Sequence, residues 1–326
     1  MQSRINSPIF VVGSPRSGTS ILTWCLGQHP NIFAVPESNW MGDFVVNAAI
    51  VHQVGAARGH LSILSAMDIS LDELLADFGG TINDLILSHR PDLEKTRGAI
   101  SSLPEFMRRS LPGPNMRWVD GTPEYSLYIY ALRKLFPKAV FIHVLRDVRD
   151  VVRSMLNLHR LAGVHLVASE EEAYRYWLRT VTACAQAERA YGSNVVRRLA
   201  YSALIDHPES AIRSILDFVG ESFDAECLEP LSCQINSSDV PADFMAEDPA
   251  TERRVVEEAK NLYSELHEAP QVTELCSVAA DEMAAGFGQR VQHVATVEAQ
   301  LRNAVQTIKN LEKQCSKENT RDEALL

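Results

Sequence analysis

Ile9-Phe-Val-Val-Gly13-Ser-Pro-Arg16-Ser-Gly18-Thr-Ser20 is the stretch on which the fold turns. Residues Ile9 to Val12 are β-branched or aromatic and read as a buried strand. Gly13 to Ser20 reads as a tight loop, and Ile21, Leu22, Trp24, Cys25 and Leu26 carry the helix after it. That helix stops near Gln28-His29-Pro30, because proline disfavours the α conformation in the residue before it. Such a loop turns backbone N–H groups and a helix N-terminus toward an anion, and Ser17, Thr19 and Ser20 add hydroxyl donors. Gly13-x-x-x-x-Gly18 has the spacing of a nucleoside triphosphate loop, yet Thr19-Ser20 stands where that motif demands Lys-[Ser/Thr]. The lysine of that motif reaches the β and γ phosphates, and the hydroxyl beside it holds Mg2+. Here Arg16 places the fixed charge inside the loop, which suits an anion held shallowly near the first phosphate.

Further along, Val140-Phe-Ile-His-Val-Leu145 is apolar except for His143, the pattern of a parallel strand buried on both faces, with His143 a core residue. Arg146 follows at its carboxyl end, and the next helix carries Val151, Val152, Ser154, Met155 and Leu158. Arg146 and Ser154 can converge on one phosphate, at the sheet edge where open α/β folds take ligands. Strand signals recur at Arg117 to Val119 and Val195 to Tyr201, and an amphipathic helix runs from Pro208 to Val219. Strands alternating with helices predict right-handed crossovers and a three-layer, P-loop-like α/β fold around a mostly parallel sheet. Residues 41–110 read as a helical insertion, with turns at Gly79-Gly80 and Arg90-Pro91, and a Pro/Gly break at 111–114 returns the chain to the sheet.

The chain has 326 residues, and 31 Lys and Arg against 42 Asp and Glu give a formal charge of −11. That balance excludes non-specific binding of DNA, RNA or anionic membrane, which needs a positive footprint, but not a single anion pocket. The acidity is uneven: residues 201–250 hold one arginine against eleven carboxylates, and both phosphate segments lie before them. With 46% apolar and 22% charged residues the chain can form a sizeable core. The six scattered cysteines form no CxxC or Cys/His spacing, so reduced thiols and no structural zinc are expected. No apolar run reaches the roughly 18–20 residues of a membrane span and no secretory leader is apparent, which predicts a cytoplasmic protein. Val294, Val297, Leu301, Ala304, Ile308, Leu311 and Cys315 keep an a/d register for about three heptads. Residues 291–326 are therefore set apart from a domain over 1–290, as a helix that could pair two copies in a coiled coil through 291–315 or pack on its own domain.

Val12-Gly-Ser-Pro-Arg-Ser-Gly-Thr-Ser20, with Leu22 and His29-Pro30 behind it, resembles the 5′-phosphosulfate loop of sulfotransferases that use 3′-phosphoadenosine 5′-phosphosulfate (PAPS). Phe141-Ile-His-Val-Leu-Arg146-Asp-Val-Arg-Asp-Val-Val-Arg-Ser154 resembles the second hallmark of that family. Tyr201-Ser-Ala-Leu-Ile-Asp-His-Pro208, with Ile212 and Asp217-Phe-Val-Gly220, is similar to its adenine-side segment. The resemblance implies a bacterial-type, PAPS-dependent enzyme that moves a sulfuryl group to a hydroxyl or amine of a small-molecule, sugar or lipid acceptor and releases the desulfated nucleotide, PAP. It implies that Arg16, Ser17, Gly18, Thr19 and Ser20 hold the 5′ side, with Arg16 also catalytic through the charge developing on the bridging oxygen. Arg146 and Ser154 would hold the 3′ phosphate and Tyr201 would lie against the base. Glu37, in Phe33-Ala-Val-Pro-Glu-Ser38, matches the glutamate that many bacterial-type members use as general base, with Asp120 as the second candidate. A sulfuryl group bears less charge than a phosphoryl group, so positioning and charge stabilisation suffice and no metal is expected.

The chain departs from that family in reading Asp120-Gly121-Thr122-Pro123 where Asp-Lys-Thr-Pro is common, and in having Val148 where proline is usual. Ser202-Ala203 also replaces the usual acidic pair. The acceptor's walls are expected from 41–110, as a lid, and from the segment after 222; core packing is expected for most of Trp40, Phe44, Phe78 and Phe106. Two other readings of the residues stand beside this one. A nucleotide-dependent kinase or triphosphatase would need Mg2+ and Asp120 or Asp147. A non-catalytic nucleotide-binding scaffold would work through its C-terminal helix.

Overall fold

The computed structural model describes residues 7–109, 117–158, 163, 165–232 and 248–323, with side chains to 312. The break at 111–114, Cys233 and the side chain of Cys315 lie outside these. Strand β1 (Ile9–Gly13) is buried throughout and leads through the loop into helix α1 (Thr19–Leu26). His29 ends that turn, its Nδ1 accepting from the Asn31 amide at 3.1 Å and its Nε2 3.0 Å from the Ser222 carbonyl. A three-residue strand that the sequence pattern did not suggest follows, β2 (Ile32–Ala34), and then α2 (Met41–Ala56), α3 (Leu71–Ser88) and α4 (Arg90–Ala99). The sheet resumes with β3 (Arg117–Asp120), followed by a 3-10 turn over Pro123–Tyr128, α5 (Ile129–Leu135), β4 (Val140–Leu145) and α6 (Val148–Asn157). The rest is α7 (Glu170–Tyr191), β5 (Val196–Ala200), α8 (Tyr201–Asp206), α9 (Pro208–Val219), α10 (Arg253–Glu268) and α11 (Ser277–Glu323).

The five strands are parallel in the order β2-β3-β1-β4-β5. From β1 the chain builds β2 and β3 on one side and then crosses to β4 and β5 on the other. The carboxyl ends of β1 and β4, with Val12 opposite His143, therefore flank the point where strand order reverses. The twofold alternation of strand side chains makes the layers. Ile9, Val11, Ile142 and Val144 face Leu22, Leu26, Ile212 and Leu216 of α1 and α9. Phe10, Val12 and Phe141 face Val45, Leu132 and Cys184 of α2, α5 and α7. Each such large apolar side chain taken fully out of water contributes about 1.5–3 kcal/mol.

Arg117, Arg198 and His143 are buried with partners. Arg117 donates from Nε to the Ser7 carbonyl at 2.8 Å and from Nη1 to the Val219 carbonyl at 2.6 Å. His143 Nδ1 lies 2.6 Å from Glu188 Oε1, and the other oxygen of Glu188 is 3.6 Å from Arg198 Nε. Among the described residues His143 Nε2 has no partner, so the expected core histidine is only half satisfied. Arg198 reaches the carbonyls of Leu266 and Pro270 beyond β5. Gln271 in turn bonds the backbone of Arg198 twice, accepting from its N–H at 3.2 Å and donating to its C=O at 2.7 Å.

Tyr201 opens α8 instead of closing the preceding strand, which ends at Ala200. The four aromatics of the insertion do not share one fate. Phe106 is buried against Trp24, whereas Trp40 and Phe78 are each 42% exposed and are joined edge to face through Phe44, so core packing fails for those two. Helix α11 runs through residue 291 without a break; Ala279 and Val291 are buried, while Val297, Leu301, Ile308 and Leu311 face solvent. Among the described residues no helix is long and apolar enough to cross a membrane.

Candidate active site

The loop after β1 is shaped by backbone that side chains resist. Gly13 has φ 152° and Gly18, the residue before α1, has φ 103°. A Cβ on Gly13 would sit 2.7 Å from the Val144 carbonyl, and one on Gly18 2.5 Å from the Tyr201 ring. Arg16 takes φ 71°, a left-handed value that costs a non-glycine residue about 1–3 kcal/mol and clusters at functional sites. Ser14 and Ser17 are buried, and among the described residues neither Oγ has a hydrogen-bond partner. Unpaired hydroxyls, a helix N-terminus and an arginine in one concavity fit an anion. Ser14 was not among the residues singled out from the sequence; its place inside the glycine-bounded loop was the available signal.

Arg146 and Ser154 both converge on this loop. Arg146 donates from Nη1 to the Arg16 carbonyl at 3.2 Å, and its guanidinium lies 4.5 Å over the Tyr201 ring. Arg16 donates from Nε to Ser154 Oγ at 3.0 Å. Burial, then the neighbouring Arg146, pull the Arg16 guanidinium below its ordinary value, with Glu37 opposing. Two cations held together in this way are relieved by a bound anion. Helix α6 starts here because Asp147 Oδ1 accepts from the Arg149 amide at 2.9 Å, capping its first turn.

Glu37 sits on the exposed loop after β2 and is tied to the first turn of α1, Ser20 Oγ donating to its Oε1 at 2.7 Å. Loss of solvent around it pushes its carboxyl above the ordinary range; the Ser20 bond and Arg16 oppose this, and Glu124 adds to it. Asp120 ends β3, fully buried, and burial pushes its carboxyl up to about 6. Its Oδ1 accepts from the Thr122 amide at 2.8 Å and the Thr122 hydroxyl at 2.6 Å, while Oδ2 has no partner among the described residues. Thr122 Oγ1 also accepts from the Ser38 amide at 3.1 Å, so Asp120 holds the loop that carries Glu37. Glu124 and Tyr176, whose hydroxyl donates to Glu124 at 3.0 Å, complete this wall and were not read from the sequence. Gly121 packs on α1, where a Cβ would fall 2.1 Å from Thr23 Oγ1, so a lysine there would have to displace Thr23.

A parallel sheet with an anion-cradling loop at its switch point, and an arginine at the end of the adjacent strand, defines a P-loop-like α/β protein. The chain belongs to the Sulfotransferase family, whose family model matches residues 8–225, and it is a sulfotransferase. That membership decides against the kinase and scaffold readings. Protein-tyrosine sulfotransferase 1 of Danio rerio is 24% identical over 216 residues, covering 65% of this chain and 52% of its own length. The chain thus spans about half the length of that relative. Sulfotransferase STF9 of Mycobacterium avium is 19% identical, with 83% of this chain and 78% of that one covered at a TM-score of 0.43. Retinol dehydratase, solved in complex with androsterone and inactive cofactor PAP, is 15% identical, with 82% of each chain covered and a TM-score of 0.33.

Proposed function

We propose that the chain transfers the sulfuryl group of PAPS to a hydroxyl of a small-molecule, sugar or lipid acceptor, with Glu37 as general base. The carrying observation is the 2.7 Å bond from Ser20, in the first turn of α1, to Glu37, which sets a carboxylate beside the proposed anion cradle. In this reading the unpaired hydroxyls of Ser14 and Ser17, the α1 N-terminus and Arg16 hold the 5′ end of the nucleotide. Arg146 and Ser154 hold its 3′ phosphate and Tyr201 flanks the base. The acceptor oxygen attacks sulfur, its proton passes to Glu37, and the sulfur–oxygen bond to the nucleotide breaks. The negative charge left on the bridging oxygen is met by Arg16 and the loop amides, so no metal is needed to neutralise it. Residues 41–110 form the acceptor-side lid of a catalytic domain over 1–290.

Transfer of label from radioactive PAPS to a panel of alcohols tests the reading, with PAP binding followed by calorimetry. Glu37→Gln should lower kcat by about 10²–10⁴ with PAP affinity unchanged. Arg146→Ala should weaken PAP by about 10–100-fold, the worth of a charge-assisted hydrogen bond. Full turnover in Glu37→Gln overturns the base assignment.

A further inference from the structure

Three residues after Tyr176 on α7, Arg179 lines a separate cavity of about 470 Å³ between α7, the segment 126–131 and α11. Its floor is apolar, formed by Ile129, Leu178, Met283 and Phe287. Two cations stand on different walls, Arg179 from α7 and Arg290 from α11. Each guanidinium lies over a tyrosine face, Arg179 4.9 Å from the ring centre of Tyr176 and Arg290 4.3 Å from that of Tyr128. Arg290 also hydrogen-bonds the Tyr128 hydroxyl, which donates to Asp43 at 2.8 Å, and the five N–H donors of an arginine leave others for a carboxylate. Among the described lining residues the one carboxylate, Glu282, is engaged with Gln186 at 3.0 Å.

Two further observations point to an occupant. Ser126 lines the cavity with 1% of its surface exposed, and its Oγ has no partner among the described residues. Gly286, also in the lining, and Gly288 lie inside α11, where glycine weakens a helix relative to alanine. Among the described residues a Cβ on either would meet no atom within 4 Å, so no packing contact there calls for their small size. The helix bares its backbone beside an open, cation-flanked space.

We propose that this cavity binds the distal anionic end of an elongated apolar acceptor, an alkyl chain with a carboxylate at one end and the reacting hydroxyl at the other. The carboxylate sits between Arg179 and Arg290, the chain lies on the apolar floor, and the hydroxyl reaches Glu37 past Glu124 and Tyr176. The assignment rests on the sulfotransferase reading of the Glu37 site, and it is tested partly without turnover. Decanoate has no hydroxyl to accept sulfate, so calorimetry with it reads the cavity alone. Saturable binding is expected, weakened about tenfold or more by Arg179→Gln and by Arg290→Gln. Gly286→Leu fills the cavity and removes a glycine from a helix, so it should abolish binding at an equal or higher melting temperature. In the transfer assay 10-hydroxydecanoate should have a KM about tenfold below that of 1-decanol, with the difference lost in Arg290→Gln and kcat unchanged. No saturable decanoate binding, equal binding by all four proteins, or 1-decanol binding as tightly as decanoate overturns the proposal. So does decanoate binding that tracks the arginines while other alcohols are sulfated and 10-hydroxydecanoate is not. Failure to sulfate any alcohol, with decanoate binding intact, instead overturns the functional reading on which the acceptor role rests.

Discussion

Asp120→Asn should make the protein more stable at high pH than at low pH, relative to the wild type. The buried carboxyl is raised from 3.8 to about 6, so the fold prefers its protonated form. A group shifted in this direction contributes most stability below its unfolded value and loses it as pH rises through the folded one. At about 1.36 kcal/mol per tenfold, the charged Asp120 destabilises the fold by about 3 kcal/mol above pH 7. Asparagine keeps an oxygen for the two Thr122 donors and removes the charge. It also puts an amide where Oδ2 is unpaired, at a pH-independent cost of about 1–3 kcal/mol. The informative quantity is therefore the stability difference between variant and wild type at about pH 8 minus the same difference at about pH 4, read from urea unfolding. It should be about 2.5 kcal/mol in favour of the variant, since an unfolded aspartate is already about half ionised at pH 4, or a relative gain of about 4 °C in melting temperature for a chain of this length. A difference that stays within about 0.5 kcal/mol across that range would refute the claim that burial of this carboxylate is opposed by the fold.

The raised Glu37 carboxyl predicts that kcat/KM climbs with pH through a value above the ordinary 4.5, and Ser20→Ala, which removes an opposing bond, should move that limb higher still. A limb that moves down, or not at all, counts against the pairing. Gly18→Ala forces a Cβ to within 2.5 Å of the Tyr201 ring at φ 103°, so a melting curve should show about 1–3 kcal/mol lost and PAP should stabilise the variant less than the wild type. Truncation after Thr296 removes side chains that face solvent, such as Val297 and Leu301, and should move the melting temperature by less than about 1 °C. Val291→Ala, at a fully packed position of the same helix, should lower stability by about 1–3 kcal/mol.

The glycine-bounded loop after β1 was legible because its pattern is local: strand, glycines, arginine and hydroxyls lie within twelve residues. Arg146 and Ser154 were legible because a strand end and one face of the next helix fix their relative position. The α9 boundaries followed from its apolar stripe, and they match at both ends. What escaped depends on partners far apart in sequence. The His143 bond to Glu188 spans 45 residues, and the Glu124 bond to Tyr176 spans 52. β2 is too short to carry a period, and its strand character comes from pairing with β3. Helix α7 was announced by Ser169 and Glu172, a capping pair whose serine accepts from the Glu172 amide at 3.1 Å, and it passed unread because its apolar face is diluted by charges.

The paired bonds between Gln271 and Arg198 bear on what happens when two copies of the chain meet. β5 is the last strand of the sheet, and such an edge offers a row of open donors and acceptors on which another chain's strand can grow. The amide of Gln271 has the same donor and acceptor as a peptide group, and it occupies that row at its middle residue. A single side chain thus takes the place of a sixth strand at that residue. Replacing it with alanine would leave the sulfate chemistry untouched while opening the edge to edge-on aggregation.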